Sequence, residues 1–200
     1  MNPQPTTPDL FNDPSQRVQD TVEPLVVHSG LPKAREQAGE QAIYTPAALA
    51  AEIVSHFRPT GRVCDPCKGG GAFLRAMPGA DWFEIAEGRD FLTAAGRWDW
   101  IVTNPPWRDV GPFLAKAMEC ADNVVFLCWL TGVLTKARLR MIREAGFGIA
   151  ELLLVPTPPP PWPQSGFQLA ATWLRRGWRG SAAFSMHNSV ISLKRHIKGD

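Results

Sequence analysis

From residue 43 onward, short apolar segments alternate with segments of helical periodicity, and this alternation restricts the fold more than any other feature of the chain. Strands are predicted over residues 62–65, 82–85, 98–103, 124–130, 151–155 and 168–174. Helices are predicted near 46–57, from 72, near 112–120 and near 135–145. Strands that alternate with helices form a mostly parallel sheet, but no helix separates the last two strands. The sequence therefore predicts an α/β fold, with a mostly parallel sheet and a C-terminal antiparallel hairpin.

The chain is predicted to contain one globular domain, over residues 41–180. Residues 1–40 lack periodic apolar positions and are predicted to be largely disordered, apart from a short apolar segment at 25–27. Order is expected to begin where Thr45 can cap a helix whose first residue is Pro46. Residues 181–200 are interpreted as a basic tail. No run approaches the ~18 apolar residues of a membrane helix, and no signal-peptide pattern is found, so a cytoplasmic protein without a membrane partner is predicted.

A glycine-rich turn follows the first predicted strand, where Asp65 ends the apolar run and Gly69, Gly70 and Gly71 precede a helix that begins near Ala72. Glycine lets a ligand approach the backbone closely, and free N–H groups at a helix N-terminus attract a carboxylate or a phosphate. Such turns also bind phosphates and dinucleotides. This turn lacks the Gly-Lys-Ser/Thr of a phosphate loop and the Gly-x-Gly-x-x-Gly of a dinucleotide site, so neither signature fits well.

The tetrapeptide Asn104-Pro105-Pro106-Trp107 follows the apolar run 100–103, where a buried strand ends in a loop. Proline fixes its own φ and favours extended geometry before it, which directs the Asn104 side-chain oxygen and the Pro105 carbonyl out of the loop. These acceptors suit the two N–H groups of a planar amine, on whose ring Trp107 can stack. Accepting both hydrogens frees the nitrogen lone pair for attack on an electrophile. The alternative is an ordinary turn, which any Pro-Pro pair can make.

The two motifs together resemble a known enzyme family. Residues 65–73, Asp-Pro-Cys-Lys-Gly-Gly-Gly-Ala-Phe, match the pattern Asp-Pro-x-x-Gly-x-Gly-x-Phe, and Asn-Pro-Pro-aromatic follows about thirty residues later. Over about residues 43–178 the chain resembles S-adenosylmethionine-dependent DNA adenine-N6 methyltransferases. The resemblance implies a Rossmann-like class I methyltransferase fold, S-adenosylmethionine as cofactor, and transfer of a methyl group to the N6 amine of adenine.

The resemblance also implies roles for individual residues. The cofactor would contact the start of the first helix and the glycine-rich turn, through Tyr44, Thr45, Pro46, Asp65, Pro66, Gly69, Gly71 and Phe73. Glu84 resembles the residue that binds the ribose, and Asp90 with Phe91 resembles the pair that bonds and sandwiches the adenine. Catalysis is expected from Asn104, Pro105, Pro106 and Trp107. A phenylalanine at position 107 would then keep much of the activity, because a ring face remains.

A proline-rich loop over residues 156–167 joins the last two predicted strands and is expected to be stiff and extended. Its position resembles the family's substrate loop, in which an aromatic residue packs on the extruded base, so Arg108, Trp162 and Phe167 are candidate substrate contacts. Phe167 is equally suited to the core of the following strand. A partner protein that binds the prolines is the alternative. Little chain follows Trp107 for a target-recognition domain, so a short or relaxed target sequence is expected.

The two halves of the chain carry opposite net charge. Up to Pro105 there are 9 basic and 13 acidic residues, or −4, and after it 12 basic and 6 acidic, or +6. This asymmetry favours a nucleic-acid partner, and DNA is predicted, for a monomer or a homodimer. Candidate phosphate contacts are Arg108, Lys136, Arg138, Arg140, Arg143, Arg175, Arg176, Arg179, Lys194, Arg195 and Lys198. A solvated helix face is the alternative for each of them.

Other substrates and other uses of the fold stay open. Asn-Pro-Pro-aromatic also occurs in methyltransferases that act on RNA bases and on a glutamine amide of release factors, and the basic second half favours nucleic acid over a protein amide. An inactive module that binds nucleic acid or a partner is the non-enzymatic alternative. Cys64 and Cys67 form a Cys-x-x-Cys without a second pair at zinc-finger spacing, so reduced thiols and no metal site are predicted.

Overall fold

A computed structural model describes residues 44–164, 166 and 168–186. Within this part of the chain there are four α-helices, α1 (Ala47–Phe57), α2 (Ala72–Ala76), α3 (Val110–Cys120) and α4 (Lys136–Glu144). The strands are β1 (Val63–Asp65), β2 (Asp81–Trp82), β3 (Trp98–Thr103), β4 (Ala121–Trp129), β5 (Phe147–Val155), β6 (Leu169–Arg176) and β7 (Ala183–Met186). No helix in the described ranges is long and apolar enough to cross a membrane.

The strands form one seven-stranded sheet in the order β2-β1-β3-β4-β6-β5-β7. Strand β1 pairs parallel with β2 and with β3, and β3 pairs parallel with β4. Strand β6 pairs antiparallel with both β4 and β5, so the hairpin predicted between the last two strands of the sequence pattern is confirmed. The carboxyl ends of β1, β3 and β4 lie at the same edge of the sheet, where ligands of open α/β folds bind.

Helices cover both faces of the sheet, because the strands alternate their apolar side chains with a period of two residues. Ile101 of β3 and Phe126 of β4 point to the face with Leu114 of α3. Val102 and its neighbours in β4 point to the other face, which α1 and α2 cover through a buried cluster that includes Leu49, Ile53, Phe57, Phe73, Val125 and Leu127. Each large apolar side chain so buried contributes ~1.5–3 kcal/mol to folding.

Some predicted boundaries were wrong, and one strand was missed. Strand β2 ends at Trp82 instead of 85, because Ile85–Glu87 form a 3-10 turn capped by the Glu84 side chain, which accepts a hydrogen bond from Ala86 N. The first helix begins at Ala47, with Pro46 and not Thr45 at the capping position. The short strand β7, within the segment interpreted as a tail, pairs parallel with β5 and was not predicted.

Candidate active site

The glycine-rich turn begins at the carboxyl end of β1 with a fully buried Asp65. Its Oδ1 accepts hydrogen bonds from Thr103 Oγ1 at 2.7 Å and from Cys67 N at 3.2 Å. Its Oδ2 is buried and has no hydrogen-bond partner among the described residues. Burial raises the pKa of Asp65 to about 6, although the two hydrogen bonds oppose the shift. A buried carboxylate oxygen without a donor is suited to a ligand that supplies one.

Gly69 and Gly71 adopt left-handed backbone geometry, with φ of 47° and 73°. A Cβ atom at Gly69 would lie 2.9 Å from the ring of Tyr44, which packs on the turn while remaining 57% exposed. The shape of the turn therefore depends on glycine for its backbone conformation and for the close approach of Tyr44. Arg75 secures the turn further, since its Nη1 donates to Gly70 O at 2.8 Å.

Glu84 and Asp90, the acidic residues assigned to the cofactor, each cap a 3-10 turn. Glu84 Oε2 also accepts a hydrogen bond from Gly69 N at 2.8 Å and so ties this segment to the glycine-rich turn. Asp90 Oδ1 accepts from Leu92 N at 2.9 Å. A carboxylate oxygen has more than one lone pair, so capping leaves both groups able to accept a hydroxyl or amine of a ligand.

The rings of Phe73 and Phe91 are placed differently from their predicted roles. Phe73 is 3% exposed in the core beside α1, and Phe91 is 1% exposed. The Phe91 ring packs against Phe83, Trp98 and Phe113. Both rings are buried, so the predicted stacking of Phe91 on an adenine was wrong for its side chain.

The Asn104 loop follows β3, whose neighbour in the sheet is β1. The Asn104 amide is held at both ends, because Nδ2 donates to Thr45 Oγ1 at 3.2 Å and Oδ1 accepts from Trp107 Nε1 at 2.9 Å. Pro105 is buried and Pro106 is exposed. Thr45, assigned to the cofactor, thus contacts the catalytic candidate, and the Thr103–Asp65 hydrogen bond joins this loop to the glycine-rich turn.

Three tryptophans meet beside Asn104. The ring of Trp107 lies edge-on to those of Trp129, at 4.9 Å between centroids, and Trp162, at 5.6 Å. The proline-rich loop therefore reaches the site as predicted, but Trp162 is 4% exposed and its Nε1 donates to Tyr44 O at 3.0 Å. The ring of Trp162 is not free to stack on a base, so the predicted contact of Trp162 with the extruded base was wrong. Trp129 was interpreted as core or rim, and its position at the carboxyl end of β4 was the signal that could have identified it.

The remaining candidates fall into three groups. Tyr44, Pro46 and Pro66 lie around the glycine-rich turn and the start of α1, and Arg108 is exposed in the 3-10 turn after Pro106. Phe167 lies outside the described residues, as do the apolar segment 25–27 and the basic residues 194, 195 and 198.

Arg175 and Arg176, two of the predicted phosphate contacts, do not lie beside the site. Arg175 pairs in register with Asn123 at the start of β4, which places it at the opposite edge of the sheet. At this edge, Arg176 donates hydrogen bonds to the carboxylate of Asp122 and to the carbonyl oxygens of Met118 and Ala121. These arginines stabilise the fold, so their predicted contact with substrate at the site was wrong. They were misassigned because β6 runs antiparallel to β4 and carries its last residues away from the site.

The four cysteines are free thiols. Burial raises the pKa of Cys64 and Cys67, and it raises the pKa of Cys128 to about 12. Within the part of the chain that the structure describes, no group of three or more His, Cys, Asp or Glu residues is arranged to bind a metal ion.

Among known proteins, no protein-family model and no curated sequence matches this chain. The structure is similar to a modification subunit assigned to a type I restriction enzyme of Vibrio vulnificus YJ016, with a TM-score of 0.53 and 16% identity over 76% of this chain and 48% of that one. It is also similar to the M protein of the type I restriction enzyme EcoKI, with a TM-score of 0.51 and 12% identity over 70% and 45%. The chain thus spans about half the length of these subunits.

A further match is to a Pyrococcus horikoshii protein described as an RNA methyltransferase, with a TM-score of 0.46 and 17% identity over 65% of this chain and 82% of that one. At so low a TM-score this likeness supports no conclusion about substrate. Together with the seven-stranded sheet and its C-terminal antiparallel hairpin, the similarity to the restriction-enzyme subunits shows that the chain has the fold of class I S-adenosylmethionine-dependent methyltransferases.

Proposed function

We propose that this protein transfers a methyl group from S-adenosylmethionine to the exocyclic N6 amine of adenine in DNA. The observation that carries the proposal is the hydrogen bond from Thr103 Oγ1 to Asp65 Oδ1. It joins the residue before Asn104 to the acidic residue that opens the glycine-rich turn. A cofactor on that turn and an amine at Asn104 would therefore be neighbours, as direct transfer between them requires.

The residues around the turn fit the cofactor. Asp65 Oδ2 is buried without a donor, and its ionised form favours a positively charged group such as the cofactor ammonium. Glu84 has acceptor capacity left for ribose hydroxyls, and Tyr44, which packs on Gly69, remains largely exposed. When bound, S-adenosylmethionine supplies an electrophilic methyl group, whose bond to sulfur breaks as its bond to nitrogen forms.

Asn104 and Pro105 would hold the amine. Asn104 Oδ1 and the Pro105 carbonyl can each accept one of its N–H groups, which withdraws the nitrogen lone pair from conjugation with the ring. The partly exposed Trp107 offers an indole beside them for the ring to pack on. Catalysis on this proposal consists chiefly of positioning, and the proton displaced from nitrogen passes to water.

DNA is favoured by two observations. The structural matches with a TM-score above 0.5 include subunits of type I restriction enzymes, and the second half of the chain carries a net charge of +6. A base in a duplex has to be extruded, at a cost of a few kcal/mol. Stacking on an aromatic residue returns ~1–3 kcal/mol per base, so Trp107 can offset much of that cost. An RNA base, a protein glutamine and an inactive binding module remain alternative outcomes.

Transfer of labelled methyl groups tests the proposal on duplex DNA, RNA and a release-factor glutamine peptide. We expect incorporation into DNA, released as N6-methyladenine after digestion. Asn104→Ala should abolish transfer and leave the dissociation constant of S-adenosylmethionine within about threefold, a change of less than ~1 kcal/mol, because Asn104 contacts the amine and not the cofactor.

Two results would contradict the proposal. If Asn104→Ala retained turnover, Asn104 would not be the residue that holds the amine. If the product were methylcytosine or methylglutamine, the substrate would not be adenine. Expression in a host without adenine methylation, followed by single-molecule sequencing, would identify the modified base and its sequence context.

A further inference from the structure

We propose that Trp107 and Thr45 are positioning residues that fix the orientation of the Asn104 amide. The inference rests on the proposed function and assigns both residues a use that the sequence resemblance does not give them. That resemblance assigns Trp107 to stacking and Thr45 to the cofactor. Stacking does not use the indole N–H of Trp107, and this N–H and the Thr45 hydroxyl both bond to the Asn104 amide.

The chemistry of the two partners decides which way the amide faces. An indole N–H is a donor only, so the atom 2.9 Å from Trp107 Nε1 has to be the Asn104 oxygen. The Asn104 nitrogen then faces Thr45 Oγ1, which accepts at 3.2 Å. A rotated amide would set two donors against each other at Trp107. The two bonds together therefore exclude the flipped amide, in which a nitrogen would face the substrate amine.

Trp107 is held where it can keep this bond. Its ring lies against Trp129 on one side and Trp162 on another, at 4.9 and 5.6 Å between centroids. Trp162 is itself buried and anchored to Tyr44 O. An indole packed between two others loses little further freedom when its N–H is engaged, so the bond persists while substrate binds.

The lone pairs of Asn104 Oδ1 then determine how the amine is held. A carbonyl oxygen has two lone pairs, and the indole N–H occupies one of them. The other accepts a single N–H of the amine, so the second amine hydrogen has to go to another acceptor, for which the Pro105 carbonyl is suited. Phenylalanine at position 107 would keep a ring face but would release the amide.

The hydrogen bond can be observed directly by NMR, without an activity assay. Proton–nitrogen spectra resolve the indole N–H signals, and the Trp107→Phe spectrum assigns the missing one. We expect the Trp107 signal to move upfield and to exchange faster with water in Asn104→Ala, which removes the acceptor. Asn104→Asp is the matched control, because its carboxylate still accepts and should keep the signal downfield. An unchanged signal in Asn104→Ala would show that the bond does not exist.

Kinetics test the consequence for transfer. We expect Trp107→Phe and Thr45→Val to lower kcat about three- to tenfold, the size of one neutral hydrogen bond, with cofactor affinity unchanged. Thr45→Ser keeps the hydroxyl and should restore kcat. Trp173→Phe is the matched control, since Trp173 Nε1 donates to Asn123 Oδ1 at 3.2 Å at the opposite edge of the sheet. It should leave kcat unchanged.

The outcomes separate this inference from the proposed function. Wild-type kcat in both Trp107→Phe and Thr45→Val would overturn the positioning role even if DNA is methylated. A loss in Thr45→Val that comes with weaker cofactor binding and no rescue by Thr45→Ser would return Thr45 to the cofactor site. Absence of methyl transfer by the wild-type protein would refute the proposed function, and the indole spectra would still decide whether the amide is held.

Discussion

Asp65 combines full burial with an unpartnered oxygen, Oδ2, beside the predicted cofactor turn. Burial raises the pKa of its carboxyl to about 6, so the group changes charge within an accessible pH range. Folding of the unliganded protein favours the protonated form. The stabilisation is fully present below the ordinary pKa of 3.8 and is lost as the pH rises through about 6. A cationic ligand reverses this preference, because it binds the ionised form.

We expect the affinity for S-adenosylmethionine to be highest above pH 6 and to fall by up to about tenfold per pH unit below it, as Asp65 takes up a proton. Calorimetric titration from pH 5 to 8 measures this dependence. Asp65→Asn should bind the cofactor weakly at every pH, with a flat profile. A wild-type affinity that stays constant over this range would place the cation away from Asp65.

At the scale of elements, the alternation of apolar strands and helices was sufficient to predict six of the seven strands, because each of these six shows its own pattern in sequence. The two loops of the site could also be predicted, since β1 and β3 end in polar residues at the same edge. The hydrogen bonds between side chains of the site could not be predicted from the sequence. The engagement of Thr45 with Asn104 depends on a contact between segments far apart in sequence, and β2 was shortened by the cap at Glu84, which a strand pattern does not reveal.

In the proline-rich loop, too, the position was predictable from the sequence and the side-chain contacts were not. Its position beside the site was predicted, but Trp162 faces inward, because Tyr44 O lies within hydrogen-bonding distance of its indole. Tyr44 in turn packs on Gly69. The loop therefore supports the glycine-rich turn indirectly, through Tyr44.

We expect Trp162→Ala to lower the free energy of unfolding by ~3–5 kcal/mol, as for other buried tryptophans, and to weaken cofactor binding by releasing Tyr44. Trp162→Phe keeps most of the packing and loses the hydrogen bond, so its cost should be ~1 kcal/mol. Urea denaturation with and without cofactor measures both effects. Equal destabilisation of the two variants would mean that the hydrogen bond and not the packing secures the loop.

At the scale of the whole molecule, basic residues in the described part of the second half lie at two opposite edges of the sheet. Arg108 is exposed at the site, and Lys136 is exposed where α4 begins, close after the carboxyl end of β4. Arg175 lies at the opposite edge. Binding to DNA through the site should therefore use only part of the net charge, and a short or relaxed target sequence remains our proposal.

Salt dependence distinguishes the two edges. We expect Arg108→Gln and Lys136→Gln each to weaken DNA binding and to reduce the slope of log affinity against log salt by about one, as for the loss of one phosphate contact. Arg175→Gln is the matched control and should leave the slope unchanged. Equal effects at all three positions would mean that DNA also covers the edge opposite the site.

Strand β7 has a practical consequence for following substrate in solution. It runs parallel to β5, so Met186 lies at the edge of the sheet that carries Asn104, whereas the exposed Arg179 lies before the strand at the other edge. Burial raises the pKa of all four native cysteines, which makes these thiols poor targets for alkylating dyes. A fluorophore on a cysteine introduced at position 186 would therefore transfer energy to a labelled duplex bound at the site, and the same dye at position 179 would serve as the distant reference.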